Sequence, residues 1–241
     1  MAEVLSTTGF ASPSGYRDAF ASIFGNSEGT ARLGGVMPVI FARWIDTPIG
    51  AMLALADDAG LRVLDFVDRR GLPRQIVTIR RVLACAVVPG EHAQLDAVER
   101  ELGLYFAGKP SAITTTSHQA GLEAKVGGIV LAPIGPGGTP GGSAFQRAVW
   151  GELRRIPSGR TRSYAEQARA VGKPLGVRAV ARANGENFLS LIIPCHRVIG
   201  SDGSMTGYSG GVARKRWLLE HEAKMAGVSV AGLFAGVGAG E

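Results

Sequence analysis

A stretch that cannot build a core limits this chain more than any other feature. Residues 107–142 are rich in Gly, Pro, Ser and Thr and include Pro136-Gly137-Gly138-Thr139-Pro140-Gly141-Gly142. Such a composition buries too little apolar surface to offset the entropy of ordering it. A flexible linker is therefore expected over 110–142, and the text on its two sides has different periods. From Met37 to Asp68 apolar residues alternate with small or polar ones, and Asp46-Thr47-Pro48-Ile49-Gly50 and Asp57-Asp58-Ala59-Gly60 stand between the runs as turns, which predicts a three-stranded antiparallel meander. Residues 73–84 and 92–106 read as helices, the second with Leu95, Val98, Leu102 and Phe106 on one face. Residues 37–109 thus form an α+β supporting domain. Cys85, among Leu83, Ala84, Val87 and Val88, reads as a core residue there.

Beyond the linker the pattern is helical. Phe145, Ala148, Val149, Leu153 and Ile156 mark one helix face, closed by the turn Pro157-Ser158-Gly159. Ser163-Tyr164-Ala165-Glu166 spells a capping box that opens a short helix to Val171. Gly172-Lys173 turns the chain, and Pro174 takes the first-turn position of a helix running to about Asn184. That is the spelling of a helix-turn-helix, though by itself it is more often that of an ordinary helical hairpin inside a core. From Phe188 to Ile193 only Ser190 is polar, so the run reads as a buried strand that Pro194 stops before Cys195-His196-Arg197. A cysteine so mounted is either inert filler or a nucleophile. A last helix over 212–224 is expected to bury Val212, Trp217, Leu218 and Leu219 with Glu222 near its end, and 226–241 is expected to be a disordered tail.

Composition narrows the classes. In 241 residues, 46% of them hydrophobic, no apolar run approaches the roughly 18 residues a membrane span needs, and no secretory signal opens the chain. A cytoplasmic protein with no membrane partner is expected. Two cysteines 110 positions apart make a poor disulfide framework, and with four scattered histidines they give no zinc spacing, so neither metal nor cofactor is expected. Residues 1–142 hold 12 Lys and Arg against 13 Asp and Glu, whereas 143–241 hold 14 against 7. The basic C-terminal part either meets a polyanion, nucleic acid foremost, or presents a solvated basic face.

Taken together, Pro194-Cys195-His196-Arg197-Val198, Ser163-Tyr164, the helix with Val177-Arg178-Ala179-Val180, Asn187, and Gly207-Tyr208-Ser209-Gly210-Gly211 resemble the O6-alkylguanine-DNA alkyltransferases. The resemblance runs from about Phe145 to Ala223, and more loosely over Met37–Lys109. Residues 9–25 resemble the end of an AraC-type regulator domain, so 1–36 read as a partial helix-turn-helix remnant and the arrangement as Ada-like. The fold implied is α+β: an N-terminal ribonuclease H-like domain holding the three-stranded antiparallel sheet, and a mostly helical, winged-helix-like C-terminal domain over 143–225.

The function implied is repair by irreversible, single-turnover transfer of an alkyl group from O6-alkylguanine, and from O4-alkylthymine, in double-stranded DNA to Cys195 of a monomer. By resemblance, Glu222 orients His196, which takes the thiol proton through a water. Arg178 fills the gap left by the flipped base, with Val177 and Ala179 as close contacts in the minor groove. Tyr164 hydrogen-bonds the guanine and helps neutralise the leaving base. Asn187 joins the recognition helix to the cysteine segment, and Val198, Tyr208 and Ser209 line the base pocket. Phe188 stands where the family often has proline. Adjacent residues of a strand point to opposite sides, which keeps His196 off the sulfur. The alternative is an Ada-like transcriptional regulator for which methylation of Cys195 is the signal.

Overall fold

The computed structural model describes residues 37–113, 128–132 and 142–233. The helix and AraC-like pattern expected within 1–36 lie outside the described residues.

The alternating run folds as read, and one strand is added to it. Strands β1 (Val39–Ile45), β2 (Met52–Asp57) and β3 (Gly60–Phe66) form the antiparallel meander, with Ile45 opposite Met52 and Met52 opposite Phe66. Helix α1 (Leu72–Leu83) then carries the chain across to β4 (Ala86–Pro89), which lies parallel to β1, so the sheet order is β3-β2-β1-β4. Four residues are too few to show a period, which is why the sequence marks Cys85, Val87 and Val88 as core but does not reveal the strand that begins at Ala86. Cys85 is indeed buried. The period of two sorts the strands onto two cores. Leu53, Leu55 and Val63 face α1 through Leu72, Ile76 and Ile79, while Met52, Ala54, Leu64 and Phe66 face α2 (Ala93–Phe106) and the C-terminal half.

The expected flexible linker is partly fixed. Leu61 N–H donates to Val130 O at 2.7 Å, Ala132 N–H donates to Leu61 O at 2.9 Å, and Ile129 and Leu131 are buried in the core. Residues 128–132 therefore extend the edge of β3. Gly60 makes this approach possible: with φ +125° it sits where a Cβ would lie 2.4 Å from Val130 O.

The C-terminal half packs α3 (Ala144–Arg154), α4 (Tyr164–Ala170) and α5 (Val177–Gly185) together, and α6 (Val212–Met225) lies against the turn Cys195–Arg197. The Ser163–Glu166 capping box is formed, and a second one, Ser143 with Gln146, opens α3. Strands β5 (Arg162–Ser163) and β6 (Val198–Ile199) pair in parallel. Between α4 and α5 a buried amide pair fixes the crossing: Asn184 Nδ2 donates to Gln167 Oε1 at 2.8 Å, and Gln167 Nε2 donates to Asn184 Oδ1 at 3.2 Å.

Four expectations are corrected. The second helix of the pair begins at Val177 rather than Pro174, because Gly176 N–H closes a turn on Lys173 O at 2.7 Å before the helix starts. Phe188–Ile193 is not a strand: Leu189 makes a single bridge to Leu64, and the chain then turns through Leu191 at φ +72°. A left-handed leucine costs on the order of 1–3 kcal/mol, and here complete burial holds it. Val212, expected to be buried, is exposed at the first turn of α6, while Glu222, later in the same helix, is fully buried. Finally, residues 226–233 are not a free tail. They end in a 3-10 turn, Ala231–Leu233, whose buried Leu233 offers its carbonyl to Thr161 Oγ1.

Candidate active site

Pro194 sets the geometry of the thiol. Its φ of −82° and ψ of 65° form an inverse γ-turn, closed by Cys195 N–H donating to Ile193 O at 2.8 Å. Cys195-His196-Arg197 then make one turn of 3-10 helix rather than extended chain. The alternation argument that would turn His196 away from the sulfur therefore does not apply. Separation is achieved instead by the partner His196 finds: its Nε2 lies 2.9 Å from Glu222 Oε1, and its Nδ1, fully buried, has no hydrogen-bond partner among the described residues.

Glu222 is the most heavily bonded group in the site. Beside His196 it accepts from Arg197 Nε at 2.8 Å, Arg197 Nη2 at 2.8 Å and Tyr105 OH at 3.0 Å, and Arg197 Nη1 donates onward to Ile156 O at 2.6 Å. Burial alone would raise this carboxyl, but Arg197 and then His196 hold it well below the usual carboxylate range. His196 is pushed below the usual imidazole value by burial, against the opposing pull of Glu222. The pair is therefore a carboxylate beside a neutral imidazole, and the carboxylate fixes the tautomer with the proton on Nε2 and a basic lone pair on Nδ1.

The Cys195 thiol is 5% exposed and burial pushes its pKa up, opposed first by the hydrogen bond from Asn187 Nδ2, 3.4 Å from Sγ, and then by Arg69 and Lys215. At rest it is protonated, so it needs a base to become a nucleophile. Asn187 also donates to Ile193 O at 2.8 Å and accepts from Leu189 N–H at 2.9 Å, which ties the end of α5 to the cysteine turn. Phe188 suits this corner without a proline: its carbonyl accepts from Leu64 N–H at 2.9 Å and its ring meets Trp150 edge-on.

Tyr164, at the start of α4, donates to Gly207 O at 2.9 Å, and burial, helped by Cys195, raises its pKa to about 12. It is a hydrogen-bond donor at neutral pH. Gly207 permits this contact, since a Cβ there would lie 2.7 Å from the phenol oxygen. Tyr208 is buried with its ring beside that of His196, and Ser209 is exposed at the rim of a cleft of about 470 Å3 that Arg69, Arg70 and Arg214 also line. Val198 contributes through its backbone alone: its side chain is buried, its N–H donates to Cys195 O, and its carbonyl accepts from Lys215 Nζ at 2.5 Å. Arg178, Val177 and Ala179 stand apart from the thiol, at the start of α5. Arg178 and Ala179 are exposed, and Arg178 has no hydrogen bond or ion pair among the described residues.

Several members of the site escaped the sequence reading. Tyr105 and Arg69 come from the other half of the chain and carry no local signal. Lys215 had one: Lys215, Leu218, Leu219 and Glu222 follow the i, i+3, i+4, i+7 spacing of a buried face, so two charged residues on that face had to be paired inside. Lys215 also donates to Thr206 O at 2.6 Å, and burial lowers its pKa to about 8.

Among the described residues no group of three or more His, Cys, Asp or Glu is placed to hold a metal, and no helix is long and apolar enough to cross a membrane. Residues 144–224 match the profile described as 6-O-methylguanine DNA methyltransferase, DNA binding domain. A methylated-DNA–protein-cysteine methyltransferase of Shigella flexneri is 48% identical over 190 residues, covering 74% of this chain and 92% of that protein. One of Salmonella typhimurium is 38% identical over 186 residues, again covering 74% and 92%. Among solved structures, Mycobacterium tuberculosis OGT in complex with DNA superposes with a TM-score of 0.56 at 33% identity, covering 80% of this chain and 99% of that one.

Proposed function

The chain belongs to the methylated-DNA–protein-cysteine methyltransferase family, repairing DNA by direct alkyl transfer to itself, and we propose that Cys195 is the acceptor, with His196 and Glu222 as its proton route and O6-alkylguanine in duplex DNA as its substrate. The observation that carries this assignment is the buried His196–Glu222 contact at 2.9 Å, one residue from a buried thiol that Asn187 addresses. Glu222 holds Nε2–H, so Nδ1 receives the Cys195 proton through a bridging water. The sulfur then attacks the alkyl carbon. The S–C bond forms as the C–O6 bond breaks, and the electron pair passes to the guanine oxygen.

Displacement at saturated carbon develops charge on the leaving base rather than on a tetrahedral oxyanion. Tyr164, protonated with its pKa near 12, donates to the base and offsets that charge. Tyr208 and Ser209, at the cleft, and the backbone around Val198, beside the cysteine turn, hold the guanine. Arg178 enters the duplex where the base has left, and Val177 and Ala179 lie against the minor groove, where damage can be read without a sequence code. Flipping costs about a few kcal/mol, less at a damaged pair. The thioether product is not hydrolysed under mild conditions, so each molecule acts once. All the groups named belong to one chain, so a monomer suffices, working in the cytoplasm on the cell's DNA.

The test is a duplex containing one O6-methylguanine. The expected result is one methyl group per protein, carried on the Cys195 peptide and absent from Cys85, with no turnover beyond one equivalent. Methylation elsewhere, or several turnovers, would refute the assignment.

A further inference from the structure

The thiol is held from the far side of the interface between the two halves. Arg69, in the turn after β3, is almost wholly buried. Its Nη1 donates to Asn187 O at 2.7 Å and to the buried Asp65 carboxylate, and its Nη2 donates to Gly185 O at 2.5 Å. Asp65 Oδ1 accepts from Ser190 Oγ at 2.9 Å. One arginine fork therefore grips the chain at both ends of the exit from α5, and Asp65 grips it three residues further on. Between those points lies Asn187, whose side chain reaches Cys195 Sγ.

We propose that Arg69, though it belongs to the supporting half, is a positioning residue for the alkyl-acceptor thiol; the proposal rests on Cys195 being the nucleophile. Fixing the Gly185 and Asn187 carbonyls fixes the backbone on either side of Glu186, and with it the direction in which the Asn187 amide points. A guanidinium suits this task because its planar fork bonds two carbonyls and a carboxylate at once, which an ammonium cannot do with the same geometry. The charged and titratable groups around the sulfur are Arg69, Lys215, Tyr164 and Tyr208, with His196 adjacent in the chain. Arg69 and Lys215 are the cations among them, and both favour the thiolate against burial. Removing Arg69 takes away one of the two cations and loosens the amide that donates to the sulfur.

Two reactions of the full-length protein, followed from pH 6 to 10, separate positioning from simple adhesion between the halves. Iodoacetamide reports the Cys195 thiolate whether or not the protein repairs anything, and free O6-benzylguanine reports transfer without DNA. For Arg69→Gln, the iodoacetamide profile of Cys195 is expected to move up by about one pH unit, and transfer at pH 7 to fall about tenfold. For Arg69→Lys, which keeps the charge and the burial, the profile is expected to move less while the plateau rate of transfer still falls, because the fork is lost. Profiles and plateau rates that superimpose on wild type, with only a lower melting temperature, would overturn the proposal. Should Arg69→Gln not fold, Arg69→Lys decides alone: a lowered plateau supports positioning and an unchanged one excludes it. Failure of the underlying assignment looks different, since O6-benzylguanine would then leave no adduct on wild-type Cys195 while iodoacetamide still labelled it.

Discussion

Glu222 shows what one buried charge does here. Its four accepted hydrogen bonds and its partner Arg197 make its ionised form part of the fold. Because its folded pKa lies below the unfolded value, its contribution is present above the ordinary pH of about 4.3 for a free glutamate and is lost as pH falls through the folded value. His196, also lowered, adds a loss of the same sign that begins below about pH 6.5. Glu222→Gln is expected to destabilise the protein at pH 7 by about 3–5 kcal/mol, since Arg197 is left buried without its counter-charge. It should also flatten the acid limb of stability below about pH 4.3 and slow transfer strongly. Urea unfolding from pH 3 to 7 measures the first two, and an acid limb as steep as wild type would contradict the account. The motif made Cys195 and His196 legible. Glu222 was named only through family resemblance, because 26 positions of chain separate it from His196 and no local period spans them.

At the scale of elements, α4 and α5 were readable because their signals are local: a capping box, then a Gly-Lys turn, then an apolar stripe. The apolar run before the cysteine was misread for a physical reason. Burial on all sides gives the same string of Leu and Ile whether the backbone is extended or turning, and only Leu191 φ decides between them. The recognition pair also separates two roles that alanine substitutions can resolve. Arg178 is exposed and bonds to none of the described residues, so Arg178→Ala is expected to leave stability within about 0.5 kcal/mol of wild type. It should reduce repair of duplex DNA at least tenfold while sparing reaction with free O6-benzylguanine, because the free base needs no flipping. Equal losses on both substrates would remove Arg178 from the duplex. Asn184→Ala, by contrast, breaks the buried amide pair with Gln167 and is expected to cost about 1–3 kcal/mol, lowering the melting temperature without selecting between substrates.

Across the whole molecule, the supporting half packs directly on the helical half. Leu64, Phe66, Leu102 and Tyr105 share one apolar core with Trp150, Leu189, Leu191 and Leu218. Backbone hydrogen bonds cross the boundary between Leu64 and both Phe188 and Ser190. Polar contacts cross it as well: Tyr105 bonds Glu222, His221 Nε2 meets Tyr105 O at 2.7 Å, and Arg214 reaches both Asp68 and the Ile49 carbonyl. None of this could be read from the sequence, where a glycine- and proline-rich stretch suggests independence, because such pairings depend on where the folded halves meet and not on local periods. With a continuous core, neither half can unfold without exposing the apolar face of the other, so a single transition is expected. The tryptophans allow a direct check, since Trp44 lies in β1 whereas Trp150 and Trp217 lie in α3 and α6. A variant keeping only Trp44 and another keeping only Trp150, unfolded in urea, are expected to give fluorescence midpoints that each coincide with the circular-dichroism midpoint of the same variant. A Trp44 transition that runs ahead of the circular-dichroism change would show that the N-terminal sheet melts by itself. In that case Arg69 would release Asn187 before the helices came apart, and alkyl transfer should be lost at a lower urea concentration than helical structure.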